Sequence, residues 1–293
     1  MSTPSETFTR RAAVQWLAAG VASSALGPSF LRAASLPDVD ADAAPRRIQR
    51  IGLQLYTIRS AMTKDLEGSI TAVAASGITE LEFAGYYNKP AAWWKDIMQA
   101  HGLSTPSTHI GLPKTDAEWS PHFEMSKSLG QSWVIVPSVG GDFRSADGFK
   151  RLADRLNSGG ALAKAAGLRM AYHNHDFEFA AFPDGGNGMT TLLKNTDPAL
   201  VDFELDLYWA VKAGQDPLAM MRANPQRFVC CHVKDAGPAP ELAMMEVGRG
   251  TIDFKTILAT GRKLGLKHWF IEHDAPKEPL ASIAVSAAAL KRI

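Results

Sequence analysis

From residue 51 onward the chain alternates short apolar runs with longer stretches whose apolar residues recur at helical spacing. Eight of the short runs read as strands: Ile51–Thr57, Thr79–Ala84, Ser104–Ile110, Ser132–Pro137, Leu168–His175, Val201–Leu207, Phe228–Asp235 and His268–Asp274. Between them, Leu66, Ile70, Val73 and Ala74 share one face of a helix that Gly77 ends. Phe149, Leu152, Ala153 and Leu156 repeat the pattern before Gly167, as do Phe254, Ile257, Leu258 and Gly261 before Gly265. Regular strand–helix alternation implies parallel pairing, because parallel neighbours need a crossover. Eight such units over residues 46–293 predict an α/β fold, a (β/α)8 TIM barrel closed by eight parallel strands. An open doubly wound sheet fits less well, since no Gly-x-Gly-x-x-Gly follows the first strand.

The polar residues gather at the ends of the apolar runs. Tyr172-His173-Asn174-His175-Asp176-Phe177-Glu178-Phe179 places two imidazoles, two carboxylates and an amide directly after Leu168-Arg169-Met170-Ala171. Asp206 ends the next run, His232-Val233-Lys234-Asp235 the one after, and Glu272-His273-Asp274 the last. Side chains two apart on a strand share a face, so His173 pairs with His175, Glu204 with Asp206, His232 with Lys234, and Glu272 with Asp274. In a parallel barrel those C-terminal ends meet at one mouth. Carboxylates and imidazoles on four consecutive strand ends point to one divalent-metal site.

Composition narrows the partners. The 293 residues are 46% hydrophobic and 21% charged, with a formal net charge of +1. That gives no broad basic field for a polyanion, so nucleic acid is not expected as a partner. Cys230 and Cys231 are adjacent in a strand-like run and point to opposite faces, which suits packing better than a disulfide. At the N-terminus, Arg10-Arg11 precedes the apolar run from Ala12 to Leu26, followed by Ala33, Ala34 and Ser35. This reads as a twin-arginine-type export signal and linker over residues 1–45, with a periplasmic or secreted destination. The run is too short and soft for a transmembrane helix, so no membrane association is expected beyond the leader.

Residues from about 48 to 293 resemble the xylose isomerase-like barrel superfamily of sugar-phosphate isomerases and epimerases. The resemblance is carried by Glu80-Leu81-Glu82-Phe83, the Tyr172–Phe179 segment, Asp206-Leu207-Tyr208-Trp209, His232-Val233-Lys234-Asp235, Glu246-Val247-Gly248-Arg249-Gly250-Thr251-Ile252-Asp253-Phe254 and Ile271-Glu272-His273-Asp274. It implies one metal ion held by Glu178, Asp206, His232 and Glu272, with His173 or His175 as the alternative to Glu178 on the fifth strand. Mn2+ is the favoured ion, with Mg2+, Co2+ or Zn2+ as alternatives. It further implies Glu178 and Glu272 as a proton-transferring pair, with His175 and Lys234 as further catalytic candidates. Glu82, His109, His173, Trp209 and Arg249 are candidates for substrate contact. Tyr56, Tyr86 and Tyr208 lie near rim positions and could offer sugar-ring faces.

The chemistry so implied is isomerisation or epimerisation of a keto-sugar or cyclitol through an enediolate. Export argues against a phosphorylated substrate. Elimination from a 3-keto sugar or glycoside, a lyase or dehydratase reaction, is the runner-up. A non-catalytic sugar-binding barrel and an endonuclease of the same superfamily are weaker alternatives. The expected partner is a small-molecule sugar, met by a monomer or a homo-oligomer.

Overall fold

A computed structural model describes residues 50–293. The export signal and linker read over 1–45 lie outside the described residues. Eight strands close into a parallel barrel: β1 (Gly52–Gln54), β2 (Glu80–Phe83), β3 (Ser104–His109), β4 (Trp133–Val136), β5 (Arg169–His173), β6 (Val201–Asp206), β7 (Phe228–Val233) and β8 (His268–Ile271). Each strand pairs with its sequence neighbours, and β1 pairs with β8 to close the ring. The expected (β/α)8 barrel is therefore the observed fold. No helix among the described residues is long and apolar enough to cross a membrane.

Strand ends differ from the sequence expectation in one consistent way. Leu55–Ile58 is a 3-10 turn rather than strand, and Asn174–Asp176 and Lys234 continue past β5 and β7 as loop. At the mouth the backbone leaves the sheet sooner than the apolar pattern does. The helices follow their periodicity closely, covering Leu66–Ala75, Ala146–Ala165 and Phe254–Lys263. Asp65, Ser145 and Asp253 cap these three by accepting hydrogen bonds from backbone N–H groups in the first turn.

The barrel interior is layered. At the N-terminal end Trp133 Nε1 donates to Asp202 Oδ2 at 2.8 Å, and His268 Nδ1 lies 2.8 Å from Glu80 Oε2. Above them Ile135, Ala171, Cys230 and Phe270 form a small apolar cluster. Both cysteines are free and buried, and burial pushes their thiols upward, as suits packing groups. Higher still the interior turns polar with Glu82, His109, His173, Glu204 and His232, and the mouth follows.

One loop at the mouth is tied to a single buried carboxylate. Asp235 Oδ2 accepts from the N–H groups of Gly248 and Gly250, both at 2.9 Å. Its Oδ1 accepts from Ala236 N at 2.9 Å and Ile252 N at 3.1 Å. Residue 250 must be glycine here, because a Cβ would sit 2.3 Å from the Ala236 carbonyl oxygen. Asp235→Asn replaces one acceptor oxygen by a donor and leaves two backbone N–H groups opposing it. We expect a loss of about 2 kcal/mol. Urea unfolding at pH 7 measures it, and proteolysis within residues 237–250 should rise in parallel.

Candidate active site at the barrel mouth

Asp206 shows how local structure aims a side chain. It is the last residue of β6 and caps the helix Leu207–Lys212, with Oδ1 accepting from Trp209 N at 3.0 Å. Its backbone N–H donates to Asn174 Oδ1 at 3.0 Å, which joins the ends of β5 and β6. With Oδ1 committed, Oδ2 faces the barrel axis. There it forms an ion pair with Lys234 Nζ at 2.8 Å.

Around that point the structure brings together residues from three further strand ends. Lys234 Nζ is 2.6 Å from Glu272 Oε2 and 2.7 Å from Asp274 Oδ1. His232 Nδ1 is 2.6 Å from Glu272 Oε2 and 3.9 Å from Asp206 Oδ2. His173 Nε2 lies 3.6 Å from Asp206 Oδ2. Asp206, His232 and Glu272 thus have donor atoms close enough to share one metal ion. A cavity of about 430 Å3 opens above them, lined among others by Tyr56, His109, His173, His175, Lys234, Glu272 and Asp274. That volume suits a small organic ligand.

Burial and neighbouring charge set the protonation states. Burial would push the Lys234 ammonium down, but Asp206, Glu272 and Asp274 outweigh it and hold it well above its usual range. Burial would likewise raise Glu272, but Lys234 and His232 hold it below the usual carboxylate range. Burial raises Asp206 to about 6 despite the same lysine. The difference follows from distance, since Glu272 has two cations at 2.6 Å and Asp206 has one at 2.8 Å. Burial and then Lys234 pull His175 down to about 4, leaving it a neutral imidazole at pH 7. Burial and then His232 also keep His173 neutral. Glu82 and Glu204 overcome burial to hold His109 up at about 9.

These states test whether a divalent cation fits. Glu82, Glu204, Asp206, Glu272 and Asp274 are five carboxylates, faced by the cations His109, His232 and Lys234. Carboxylates outnumber the cations among them, and His232 would give up a hydrogen to hold a metal ion, which widens the deficit. His175 Nδ1 is also buried without a hydrogen bond, and Asp206 Oδ2 has Lys234 as its one close cation. A mixed oxygen and nitrogen donor set with that deficit suits one divalent ion.

Several expected site residues stand elsewhere. Two groups have donor atoms close enough to hold a metal, Asp206 with His232 and Glu272, and one layer lower His109 with His173, Glu204 and His232, and Glu178 is in neither. Its Oε1 accepts from the Tyr172 hydroxyl at 2.7 Å and its Oε2 from His175 N at 2.8 Å, so it braces the turn after β5 from behind. The residue falls on the turn Phe177–Phe179, where strand alternation no longer applies, and its side chain is committed to the Tyr172 hydroxyl and the His175 backbone. His173, the alternative on the same strand, is the one that reaches Asp206.

Glu82 was expected to contact substrate and does not reach the cavity lining. It is fully buried, and Gln54 Nε2 and Ser107 Oγ donate to it at 2.8 and 2.6 Å. Arg249 is exposed and pairs with Glu246 at 3.3 Å, because the loop anchored on Asp235 turns it outward. Trp209 packs 5.7 Å from the His175 ring and supports the site from behind. Tyr208 is buried with its hydroxyl on the Leu242 carbonyl, and the Tyr86 hydroxyl donates to Thr108, so of the tyrosines Tyr56 alone lines the cavity. Asp274 and Glu204 are read from the sequence only as face partners of Glu272 and Asp206, without a role in the site. Both stand two residues from a named ligand on the same strand face, and that spacing was the available signal.

A family model described as the xylose isomerase-like TIM barrel matches residues 70–293. Among curated proteins, an inosose dehydratase from Clostridium beijerinckii is 23% identical over 196 residues, covering 58% of this chain and 63% of the relative. The chain thus spans less than two thirds of that relative's length. Among solved structures, a sugar phosphate isomerase/epimerase from Parabacteroides distasonis has a TM-score of 0.71 at 27% identity, covering 87% of this chain and 98% of its own. The IolI protein with a bound zinc atom has a TM-score of 0.65 at 14% identity, covering 82% of this chain and 96% of its own.

The placement of Glu178 has a pH signature. Burial raises it from 4.5 to about 7, so the folded state holds its proton more tightly than the unfolded chain does. Between those pH values the folded state binds more protons, and stability falls as pH rises through the window. Glu178→Gln should remove that fall and leave metal content unchanged. Urea midpoints at pH 5 and pH 8, with metal analysis of both proteins, check it.

Proposed function

We propose that this chain, which belongs to the xylose isomerase-like TIM barrel family, is a divalent-metal-dependent lyase that removes water from a keto-cyclitol such as an inosose, or from a keto-sugar. The observation that carries the reading is the absence of Glu178 from the cavity. An epimerase reading rests on two like carboxylates on opposite faces of the substrate, and Glu272 is here without that partner. What lines the cavity instead is an unlike pair: the neutral imidazole of His175 and the ammonium of Lys234.

A cation held by Asp206, His232, Glu272 and His173 would polarise the substrate carbonyl and acidify the neighbouring C–H bond. His175 is a neutral imidazole at neutral pH, with Nδ1 free of any hydrogen-bond partner, which equips the ring to accept that proton. Lys234 Nζ holds the proton that the departing hydroxyl takes. The C–H electron pair becomes the new double bond, the adjacent C–O bond breaks, and water leaves. The proton on His175 and the one lost from Lys234 are then re-equilibrated with solvent. Asp206, Glu272 and Asp274 set how tightly Lys234 keeps its proton, so neutralising any of them makes it a better acid. Tyr56, exposed at the rim with the Arg59 guanidinium 3.8 Å over its ring, offers an apolar face to the ligand.

The inosose dehydratase among the relatives supports elimination. A second reading, isomerisation or epimerisation, is favoured by the likeness to the Parabacteroides distasonis isomerase/epimerase and would use Glu272 and His175 as the two proton carriers. Export by a twin-arginine route belongs to the proposal as well and rests on Arg10, Arg11 and the apolar run after them. Retention of a full-length reporter fusion in the cytoplasm would remove it.

Incubation with a panel of inososes and keto-sugars in deuterated water separates the two chemistries. Loss of one water supports the lyase, and deuterium uptake without loss of mass supports the epimerase. Asp206→Asn keeps the helix cap and should lose bound metal and at least 100-fold in turnover, about 3 kcal/mol in barrier. Turnover that survives both chelation and this substitution would overturn the metal-dependent reading.

A further inference from the structure

Glu204 stands one pleat below Asp206 on β6, facing the barrel axis and fully buried. A single oxygen of it gathers three imidazoles. Oε2 lies 2.7 Å from His109 Nε2, 3.1 Å from His173 Nδ1 and 3.1 Å from His232 Nε2. Glu82 Oε1 braces the same ring nitrogens, at 2.7 Å from His232 Nε2 and 3.1 Å from His109 Nε2. An ionised carboxylate only accepts, so each nitrogen facing it carries a hydrogen. That leaves His173 Nε2 and His232 Nδ1 on the mouth side, where they lie 3.6 and 3.9 Å from Asp206 Oδ2. His232 Nδ1 also stands 2.6 Å from Glu272 Oε2, so it carries a hydrogen there and offers its lone pair only when a cation displaces that hydrogen.

We propose that Glu204 is a positioning residue that imposes one tautomer and one ring orientation on His173 and His232 together. It aims both imidazole lone pairs at a cation site between Asp206 and Glu272. The inference rests on the reading that a divalent cation occupies that site. Packing is a poor explanation for this carboxylate. The neighbouring interior positions Ile135, Ala171, Cys230 and Phe270 are filled by apolar or small side chains. Glu204 Oε1 is moreover buried with no hydrogen bond, a cost that an apolar residue of similar volume would avoid. The register explains how one residue serves two rings. His173 is the direct β5 partner of Glu204, while His232 is the β7 partner of Asp206 one pleat higher. A carboxylate held between two histidines constrains both at once, as outer carboxylates do at other metal sites.

The test uses the full chain and zinc as probe. Zinc affinity is measured by chelator competition, and the histidine tautomers by nitrogen-15 shifts of the imidazoles in the zinc-loaded protein. The wild type should show Nδ1–H for His173 and Nε2–H for His232. Glu204→Gln should keep its far-ultraviolet dichroism, lose roughly 10–100-fold in zinc affinity and show mixed tautomers. Glu204→Asp should recover part of both. Unchanged affinity and tautomers in Glu204→Gln would overturn the inference while leaving the cation reading standing. A wild type that binds no zinc would remove both. A wild-type His173 carrying its hydrogen on Nε2 overturns the inference even if the variants fail to fold. Two zinc ions per chain, one of them lost in His109→Asn, would also overturn it and make the inner layer a metal site in its own right.

Discussion

Carboxylates brought together inside a barrel stay ionised only if cations stand between them, and this requirement organises the upper half of the molecule. Lys234 is the central counter-ion, within 2.8 Å of Asp206, Glu272 and Asp274. His232 carries the balance downward, touching Glu272 with one nitrogen and Glu82 and Glu204 with the other. Removing one charge from so dense a set leaves its partners buried and uncompensated, which is costly. The mouth and the inner polar layer are therefore one electrostatic unit, although six strands contribute to it.

That unit is incomplete on its own terms. Five carboxylates face three cations, one of which, His232, would lose a hydrogen on holding a metal ion, so the set carries an excess of negative charge at the mouth. The same arithmetic accounts for the spread of proton affinities. Glu272, with two close cations, is held low, whereas Asp206, with one, rises to about 6. The His175 ring, buried beside Lys234, is left neutral. The cavity is lined by a neutral imidazole, an ammonium and a carboxylate with little affinity for protons. The bracing carboxylates, Glu178 behind the β5 turn and Glu204 below the mouth, hold that arrangement without facing the ligand.

Rigidity at the rim comes from backbone rather than side-chain packing. Asp235 gathers four N–H groups of the loop following β7, and Asp206 caps its own helix while presenting its second oxygen to the axis. In both cases an acid next to a functional residue fixes the backbone that carries it. Arg249, on the loop held by Asp235, is turned to solvent as a consequence.

The amino-acid sequence by itself determined the barrel, because period-2 and period-3.6 patterns in strict alternation admit few other closed arrangements. It also determined that Asp206, His232 and Glu272 would meet, since each ends an apolar run and all such ends share one face of the barrel. The side-chain directions beyond the strand ends were decided only in three dimensions. Glu178 sits five residues past His173, where the chain has entered a 3-10 turn and the two-residue period has lapsed, so its spacing carried no information about its facing. Glu82 and Arg249 were legible as polar residues near the mouth, but whether each points inward, into the cavity or outward depended on hydrogen bonds from distant strands and loops. The role of Glu204 was equally hidden, because it follows from one oxygen meeting imidazoles on β3, β5 and β7, a contact that exists only once the barrel is closed.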